Sequence, residues 1–357
     1  MSLRTIEPAE AARTLAEFDA VLDARSPAEF AEDHLPGALN WPVLDDEQRR
    51  IVGTLYVQTG PLPARKLGAQ MVARNIADHL ARWIADKPRD WKPLVYCWRG
   101  GQRSGSLAWF LDQIGFRTTR LDGGYKGFRA VVRQELDRLH EGLDLRVLAG
   151  RTGSGKTRLL HALAAEGAQV LDLEGLACHR GSILGNLPGV PQPSQKRFDT
   201  LLWQALRGLH RSRPVVVESE SKKIGRLQLP EPLFRHLHTQ GRVLRVEMPD
   251  DARVQLLLED YGFFATEPEA FCRLLDGLVA LRGRETVARW QAQARAGDWA
   301  GVFSALMHEH YDPLYSRSID RHYAGFETAT RIALPDGRPE SLRAVARALL
   351  ADALAGA

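Results

Sequence analysis

The sequence predicts an α/β protein of two units in series, the second ending in a helical C-terminal part. Three observations carry that prediction. At 357 residues the chain exceeds the size at which one core usually stops growing. Short apolar runs of strand length alternate with stretches of helical spacing, as in mostly parallel sheets. The octet Gly150-Arg151-Thr152-Gly153-Ser154-Gly155-Lys156-Thr157 joins one such strand to a helical stretch, the setting of a phosphate loop.

In chain order, Ala20–Asp23 reads as a strand and SPAEFAEDHLPGA as a short capped helix with a turn. An amphipathic helix is expected from Pro63 to about Ala85, with Leu67, Met71, Ile76, Leu80 and Ile84 at helical spacing. Pro93–Cys97 is a buried-strand pattern, followed by the loop WRGGQRSG. A helix from Ser104 to about Gln113 stops at Gly115, and Thr118–Leu121 suits another strand. GGYKGFRAVVRQELDRL starts a helix that hands over to the second unit, so the units are expected at residues 1–140 and 141–357. In the second, Leu145–Ala149, Val170–Asp172, Val215–Glu218 and Val243–Val246 read as parallel strands, and the chain after Asp250 as almost wholly helical.

Composition excludes several classes. With 44% hydrophobic and 26% charged residues the chain is neither disordered nor collagen-like, and no run approaches the roughly 18 apolar residues of a membrane helix. The N-terminal MSLRTIEPAE lacks the apolar core of a signal peptide, so a cytoplasmic location and no membrane partner are expected. A net charge of +4 without a basic tail allows a nucleic-acid partner only through a surface assembled by folding. The three cysteines, Cys97, Cys178 and Cys272, form no CxxC pair and suit a reducing compartment.

The phosphate loop matches G-x-x-x-x-G-K-[ST] in full. Gly150, Gly153 and Gly155 let the backbone curl, so that the N–H groups of this loop, through Thr152 and Ser154, face a phosphate chain. Lys156 adds a point charge, and the Thr157 hydroxyl can ligate Mg2+. Glu218, ending the strand VVVE, stands where such folds often place an acid near that ion. No adenine-recognition pattern follows, so the motif specifies phosphate without specifying a nucleotide.

Cys97-Trp98-Arg99-Gly100-Gly101-Gln102-Arg103-Ser104 sets a cysteine between a strand end and a helix start. The helix N–H groups, Arg99 and Arg103 would all stabilise an anion at that sulfur, including a persulfide or perselenide. With Asp23-Ala24-Arg25-Ser26-Pro27-Ala28-Glu29-Phe30 and His34-Leu35-Pro36-Gly37-Ala38-Leu39-Asn40, this loop makes the first unit resemble a rhodanese domain. In that family the loop cysteine takes up a chalcogen and passes it on, while Asp23 and Arg25 are expected to be structural. Trp98 and the double glycine depart from simple sulfurtransferases, which puts an ordinary thiosulfate-type donor in doubt.

A rhodanese unit followed by a P-loop unit resembles the tRNA 2-selenouridine synthases. The likeness runs through YCWRGGQRSGSLAWFL, LDGGYKGFR, GRTGSGKT, LEGLACHRGSILG, PQPSQKRFD and VVVESESKKIG. It implies conversion of wobble 2-thiouridine in tRNA to 2-selenouridine, by S-geranylation from geranyl diphosphate and then selenation from selenophosphate through Cys97. It also implies a separate enzyme that supplies selenophosphate.

Other segments carry less. His179 and Arg180 could contact a diphosphate or the wobble nucleotide, and Lys222, Lys223 and Arg226 a tRNA backbone. His308, His310 and Asp312 invite a metal reading, against a plainer one in which a helix stops at Pro313. Trp98 and Trp109 are expected to pack in the first unit. Two alternatives stand beside the leading reading: a rhodanese-type sulfurtransferase fused to an ATP-dependent kinase or activating domain, and a non-catalytic binding module. The second is disfavoured because Cys97 and both arginines are kept.

Overall fold

The structure, a computed structural model, describes residues 3–315, 317 and 326–352. The chain divides into two compact units. The first comprises the chain up to Leu136 together with Pro193–Gln204, and the second comprises Asp137–Gln192 and the chain from Ala205 onward.

The first unit runs β1 (Arg4–Ile6), α1 (Pro8–Thr14), β2 (Ala20–Asp23), α2 (Pro27–Glu32), β3 (Ala38–Asn40), α3 (Asp46–Thr59), α4 (Pro61–Trp83), β4 (Pro93–Tyr96), α5 (Gln102–Ile114), β5 (Thr119–Leu121) and α6 (Gly124–Leu136). Its strands form a parallel sheet in the order β1-β5-β4-β2-β3. Every residue of β4 is buried, and the strand delivers Cys97 to its C-terminal end beside a core of Leu22, Trp41, Val95, Leu107 and Leu111. Helix α3 has no buried residue, which is why apolar spacing does not reveal it; its start is marked instead by the Asp45/Gln48 capping box. The helix read from Pro63 begins at Pro61, directly after Gly60 turns the chain at φ +91°. Trp109 does not pack as expected: it is 53% exposed, whereas Trp98 lies partly buried against Tyr125.

Asp23 and Arg25 anchor this unit. Arg25 Nη2 and Nε reach Asp23 Oδ2 and Oδ1 at 2.6 and 3.0 Å, and the Tyr96 hydroxyl donates to Asp23 at 2.6 Å. The guanidinium also lies 4.1 Å from the centre of the Tyr125 ring. Both members of the pair are at most 1% exposed, so removing either would strand the other charge. Arg25→Met is expected to destabilise the unit by about 3–5 kcal/mol. Faster amide hydrogen exchange across β2 and β4 would report it.

The second unit runs β6 (Leu145–Ala149), α7 (Lys156–Ala165), β7 (Gln169–Leu171) and α8 (Leu173–Ala177), and the chain then enters α9 (Gln195–Arg207). The sequence boundary at residue 140 places α9 wholly in the second unit; the structure packs residues 193–204 into the first. Buried partners draw them there. Thr200 donates to the buried Asp33 at 2.9 Å, Arg129 pairs with Asp199, and Trp203 meets Phe128 edge-on at 5.4 Å.

Beyond α9 come β8 (Val215–Glu218), β9 (Lys223–Ile224), β10 (Leu227–Gln228), α10 (Glu231–Thr239), β11 (Arg242–Glu247) and α11 (Asp250–Tyr261). Four helices follow, α12 (Pro268–Asp276), α13 (Val279–Arg282), α14 (Arg284–Arg295) and α15 (Trp299–Leu306), packed around Phe271, Leu275, Trp290 and Phe303. The C-terminal part is not wholly helical: β12 (Thr330–Ala333) precedes the last helix, Pro339–Asp352. That strand escapes a sequence reading because only Ile332 of its four residues is buried. The parallel sheet has the order β12-β11-β6-β8-β7, while β9 and β10 form a separate antiparallel hairpin. Nor does the helix stop at Pro313. A π-helical turn over Met307–Tyr311 continues into helix through Tyr315, and its widened turn accommodates a proline that lacks the N–H donor.

Candidate active sites

Each unit carries one candidate site. In the first, Cys97 is 3% exposed and the Ser104 hydroxyl, from the first turn of α5, donates to its sulfur at 3.1 Å. The loop is held from α6: Tyr125 N–H donates to the Cys97 carbonyl at 2.8 Å and Lys126 N–H to the Trp98 carbonyl at 3.0 Å. Gly124 permits this approach, since at φ +56° a Cβ there would strike the Cys97 carbonyl and the Gly100 amide. Arg99 is exposed and makes no ion pair among the described residues. Arg103 is placed differently from the sequence expectation. Its guanidinium donates to Glu29 at 2.6 and 3.3 Å instead of facing the sulfur. Burial alone would raise the Glu29 pKa, but Arg103 and Arg49 hold it below the usual carboxylate range, so the pair stays charged. An anion at Cys97 therefore has the Ser104 hydroxyl and the α5 N-terminus for stabilisation, and Arg103 braces α5.

In the second unit, β6 runs into the phosphate loop and α7 begins at Lys156. Gly153 and Gly155 adopt φ of +78° and +80°, the left-handed conformation a curled loop needs. Lys156 Nζ donates to the carbonyls of Gly150 and Arg151 at 2.8 and 3.3 Å, and the buried Ser154 hydroxyl has no partner among the described residues. Thr157 Oγ1 donates to Glu174 at 3.3 Å.

Beside Thr157, Glu174, Glu218 and Glu220 bring carboxylate oxygens within 4.8 Å of one another, the one group of metal-ligating type among the described residues. Burial, reinforced by a neighbouring carboxylate in each case, pushes Glu174 and Glu218 up to about 8 and Glu220 up to about 7. Among the described residues neither Glu218 oxygen makes a regular hydrogen bond, and the Thr157 hydroxyl is the nearby donor that partly offsets the rise. A buried carboxylate flanked by two others next to the loop threonine fits a divalent cation, which would let all three ionise together.

Gly150, Thr152, Gly153, Gly155, Lys156 and Thr157 open on one cavity of about 980 Å³, which His179 and Arg180 also line. Glu174 and Glu220 reach the cavity; Glu218 lies behind them at 1% exposure. The His179 Nδ1 accepts the Gly181 N–H at 3.1 Å, and burial lowers the ring's pKa, keeping it neutral. Arg180 donates to the Asp260 carbonyl and stacks 5.0 Å from the Tyr261 ring centre. Part of the lining is apolar and aromatic: Leu256, Leu257 and Tyr261 from α11, the two leucines next to Gly155 and Gly153, with Tyr311, Leu314 and Tyr315.

The remaining candidates disperse. His308 meets Asp250 at 3.0 Å, His310 accepts from Arg282 at 3.1 Å, and Asp312 pairs with Arg253 at 2.6 Å, so the three do not share a ligand. Lys222 is tied to Glu231 at 2.6 Å, and Arg226 donates to the Gln192 carbonyl, which leaves this stretch a weaker polyanion surface than its charge suggests. Sequence reading missed Glu174, Glu220 and Arg253, and it weighed Asp312 as a metal ligand where the structure makes it the partner of Arg253. A signal for Glu220 was present, since Glu218 and Glu220 at spacing two leave a strand on one face.

Fold and site together define a cysteine-loop domain joined to a phosphate-loop domain. Residues 7–131 match the rhodanese-like domain family, and residues 143–275 match the family described as the tRNA 2-selenouridine synthase AAA domain. Proteins named tRNA 2-selenouridine synthase align over most of the chain. That of Nitrosomonas europaea is 37% identical across 80% of this chain and 75% of its own length. That of Bdellovibrio bacteriovorus is 36% identical across 90% and 95%, and that of a Sulfurovum species 33% across 85% and 89%. The chain belongs to the tRNA 2-selenouridine synthase family. Among the described residues no helix is long and apolar enough to cross a membrane.

Proposed function

We propose that this protein is an enzyme that converts wobble 2-thiouridine in tRNA to 2-selenouridine in two steps, one at each site. The observation that carries this reading is the cavity of the second unit, where an anion cradle and apolar, aromatic side chains line the same space. That combination suits a prenyl diphosphate such as geranyl diphosphate: the phosphates on the loop, the hydrocarbon against Leu256, Leu257, Tyr261 and Tyr311. The thiouridine sulfur attacks the allylic carbon, the C–O bond breaks, and pyrophosphate leaves with the electron pair while the uridine N3 proton is lost. Lys156 and the loop N–H groups stabilise that leaving charge. Thr157 with Glu174, Glu218 and Glu220 would hold Mg2+, which supplies further charge neutralisation when bound.

S-alkylation turns the C2 sulfur into a thioether that a selenium nucleophile can displace. In this reading Cys97 is held as a mixed disulfide with a small thiol. Another enzyme supplies selenophosphate, and selenide, freed as water takes its phosphoryl group to give phosphate, displaces that thiol to form Cys97–S–Se⁻. The selenium attacks C2 as geranylthiol leaves. The thiol then cleaves the S–Se bond, releasing 2-selenouridine and restoring the mixed disulfide. Buried sulfur beside a hydroxyl donor and a helix N-terminus supports that role. The requirement for both tRNA and selenophosphate makes the protein's location that of its RNA, the cytoplasm.

The cation requirement tests the first step. Chelation with EDTA, or Glu218→Gln, is expected to cut geranyl transfer by at least about tenfold. Calorimetric titration in the presence of Mg2+ should show geranyl diphosphate binding more tightly than ATP. Tighter ATP binding with ATP turnover would favour the sulfurtransferase–kinase alternative.

A further inference from the structure

Arg253 and Asp312 form a buried pair that the chemistry above does not use. Arg253, on α11, is 1% exposed, and its Nη1 and Nη2 reach the two Asp312 oxygens at 3.0 and 2.6 Å. Its Nε and Nη2 also donate to one backbone atom, the Thr152 carbonyl, at 3.0 and 2.8 Å. Asp250 accepts from Nη1 at 2.9 Å, and Arg151 stands 3.6 Å from Asp312.

The Thr152 carbonyl and the Gly153 N–H belong to one planar peptide. Two charge-assisted hydrogen bonds to the carbonyl fix the rotation of that plane and polarise it, leaving more positive charge on its N–H. Gly153 abuts α11 so closely that a Cβ would come 3.2 Å from Leu257 and 3.3 Å from the Arg253 carbonyl. The loop is thus gripped at its second glycine, not merely bordered. Asp312 follows the π-helical turn in the helical run that also sets Tyr311, Leu314 and Tyr315 on the cavity wall.

We propose that Arg253 and Asp312 are positioning residues for the phosphate loop: Arg253 locks the Thr152–Gly153 peptide with its N–H toward the phosphates, and Asp312 holds Arg253 in place. The pair rests on the reading that this loop binds a diphosphate. It touches no reacting atom, so its loss falls mainly on binding, with a smaller effect on the step in which charge builds on the leaving pyrophosphate. One short helical run would then serve both ends of the ligand, bracing the loop and lining the hydrocarbon space.

The test uses the full chain with Mg2+ and titrates inorganic pyrophosphate, alongside steady-state geranyl transfer. Asp312→Asn, which keeps the side chain's size, and Arg253→Lys, which keeps its charge, are compared with wild type and with Lys156→Ala. The loss of one charge-assisted hydrogen bond corresponds to roughly a ten- to hundredfold weaker pyrophosphate affinity and a matching rise in KM for geranyl diphosphate. kcat should fall by far less than it does in Lys156→Ala, because a single loop N–H is loosened while the ammonium and the other loop N–H groups still meet the leaving charge. Asp312→Glu should recover part of the affinity. Unchanged pyrophosphate affinity and KM in folded Asp312→Asn, or a fall in kcat at constant KM, would overturn the proposal. If wild type binds pyrophosphate yet alkylates no RNA, the functional reading fails, and the pyrophosphate affinities alone decide the role of the pair.

Discussion

A Cys97→Ser protein is expected to form S-geranyl-2-thiouridine at the wild-type rate and to lose 2-selenouridine formation by at least about a thousandfold. Serine fits the site, since Cys97 is buried in a close-packed cluster with Leu107 and Leu111 and the change removes no volume that the core needs. Its hydroxyl can accept the Ser104 bond as the sulfur does, so the loop held by Tyr125 and Lys126 should keep its shape. What disappears is the atom able to form a bond to selenium. The expected signature is accumulation of the geranylated intermediate, seen by nucleoside mass spectrometry with selenophosphate and a thiol present. Full-rate selenation by Cys97→Ser would remove Cys97 from the chemistry.

The complementary change, Lys156→Ala, is expected to suppress geranyl transfer by about a hundred- to a thousandfold. Its ammonium rests on the Gly150 and Arg151 carbonyls, 2.8 and 3.3 Å away, at the mouth of the loop where a diphosphate would displace those contacts. The effect should fall on kcat as well as on KM, because charge builds on the leaving pyrophosphate as the C–O bond breaks. Pre-geranylated RNA given to Lys156→Ala should still be selenated through Cys97, which separates the two sites cleanly. A Lys156→Ala protein that geranylates normally would sink the assignment of the first step to the phosphate loop.

The central strands were legible because both β4 and β6 are buried along their whole length; β4 reads as an unbroken apolar run and β6 as one interrupted only by Arg146, which pairs with Asp144. The phosphate loop was legible for a different reason: Gly153 and Gly155 are required by positive φ and Gly150 by the close approach of Ser154 and the Val246 carbonyl, so a backbone constraint is written into residue type. Where side chains face both ways, the signal faded. Helix α3 buries nothing and β12 buries one residue, so neither leaves a period to detect. Arg103 was read by its neighbourhood in the chain, but its partner, Glu29, lies 74 positions away. The same holds for the Thr200–Asp33 contact that draws α9 into the first unit, and for Arg253–Asp312. Spacing along a chain reports local structure; partners brought together by the fold stay hidden until the sheet order is known.

The most direct measurement is nucleoside mass spectrometry of a 2-thiouridine anticodon stem-loop incubated with the full chain and Mg2+. Geranyl diphosphate or ATP is supplied, each with and without selenophosphate and a thiol. The proposed function predicts the mass of one added geranyl group without ATP, and its replacement by 2-selenouridine once selenophosphate is present. Unmodified RNA with geranyl diphosphate, together with ATP turnover in the other arm, would contradict it.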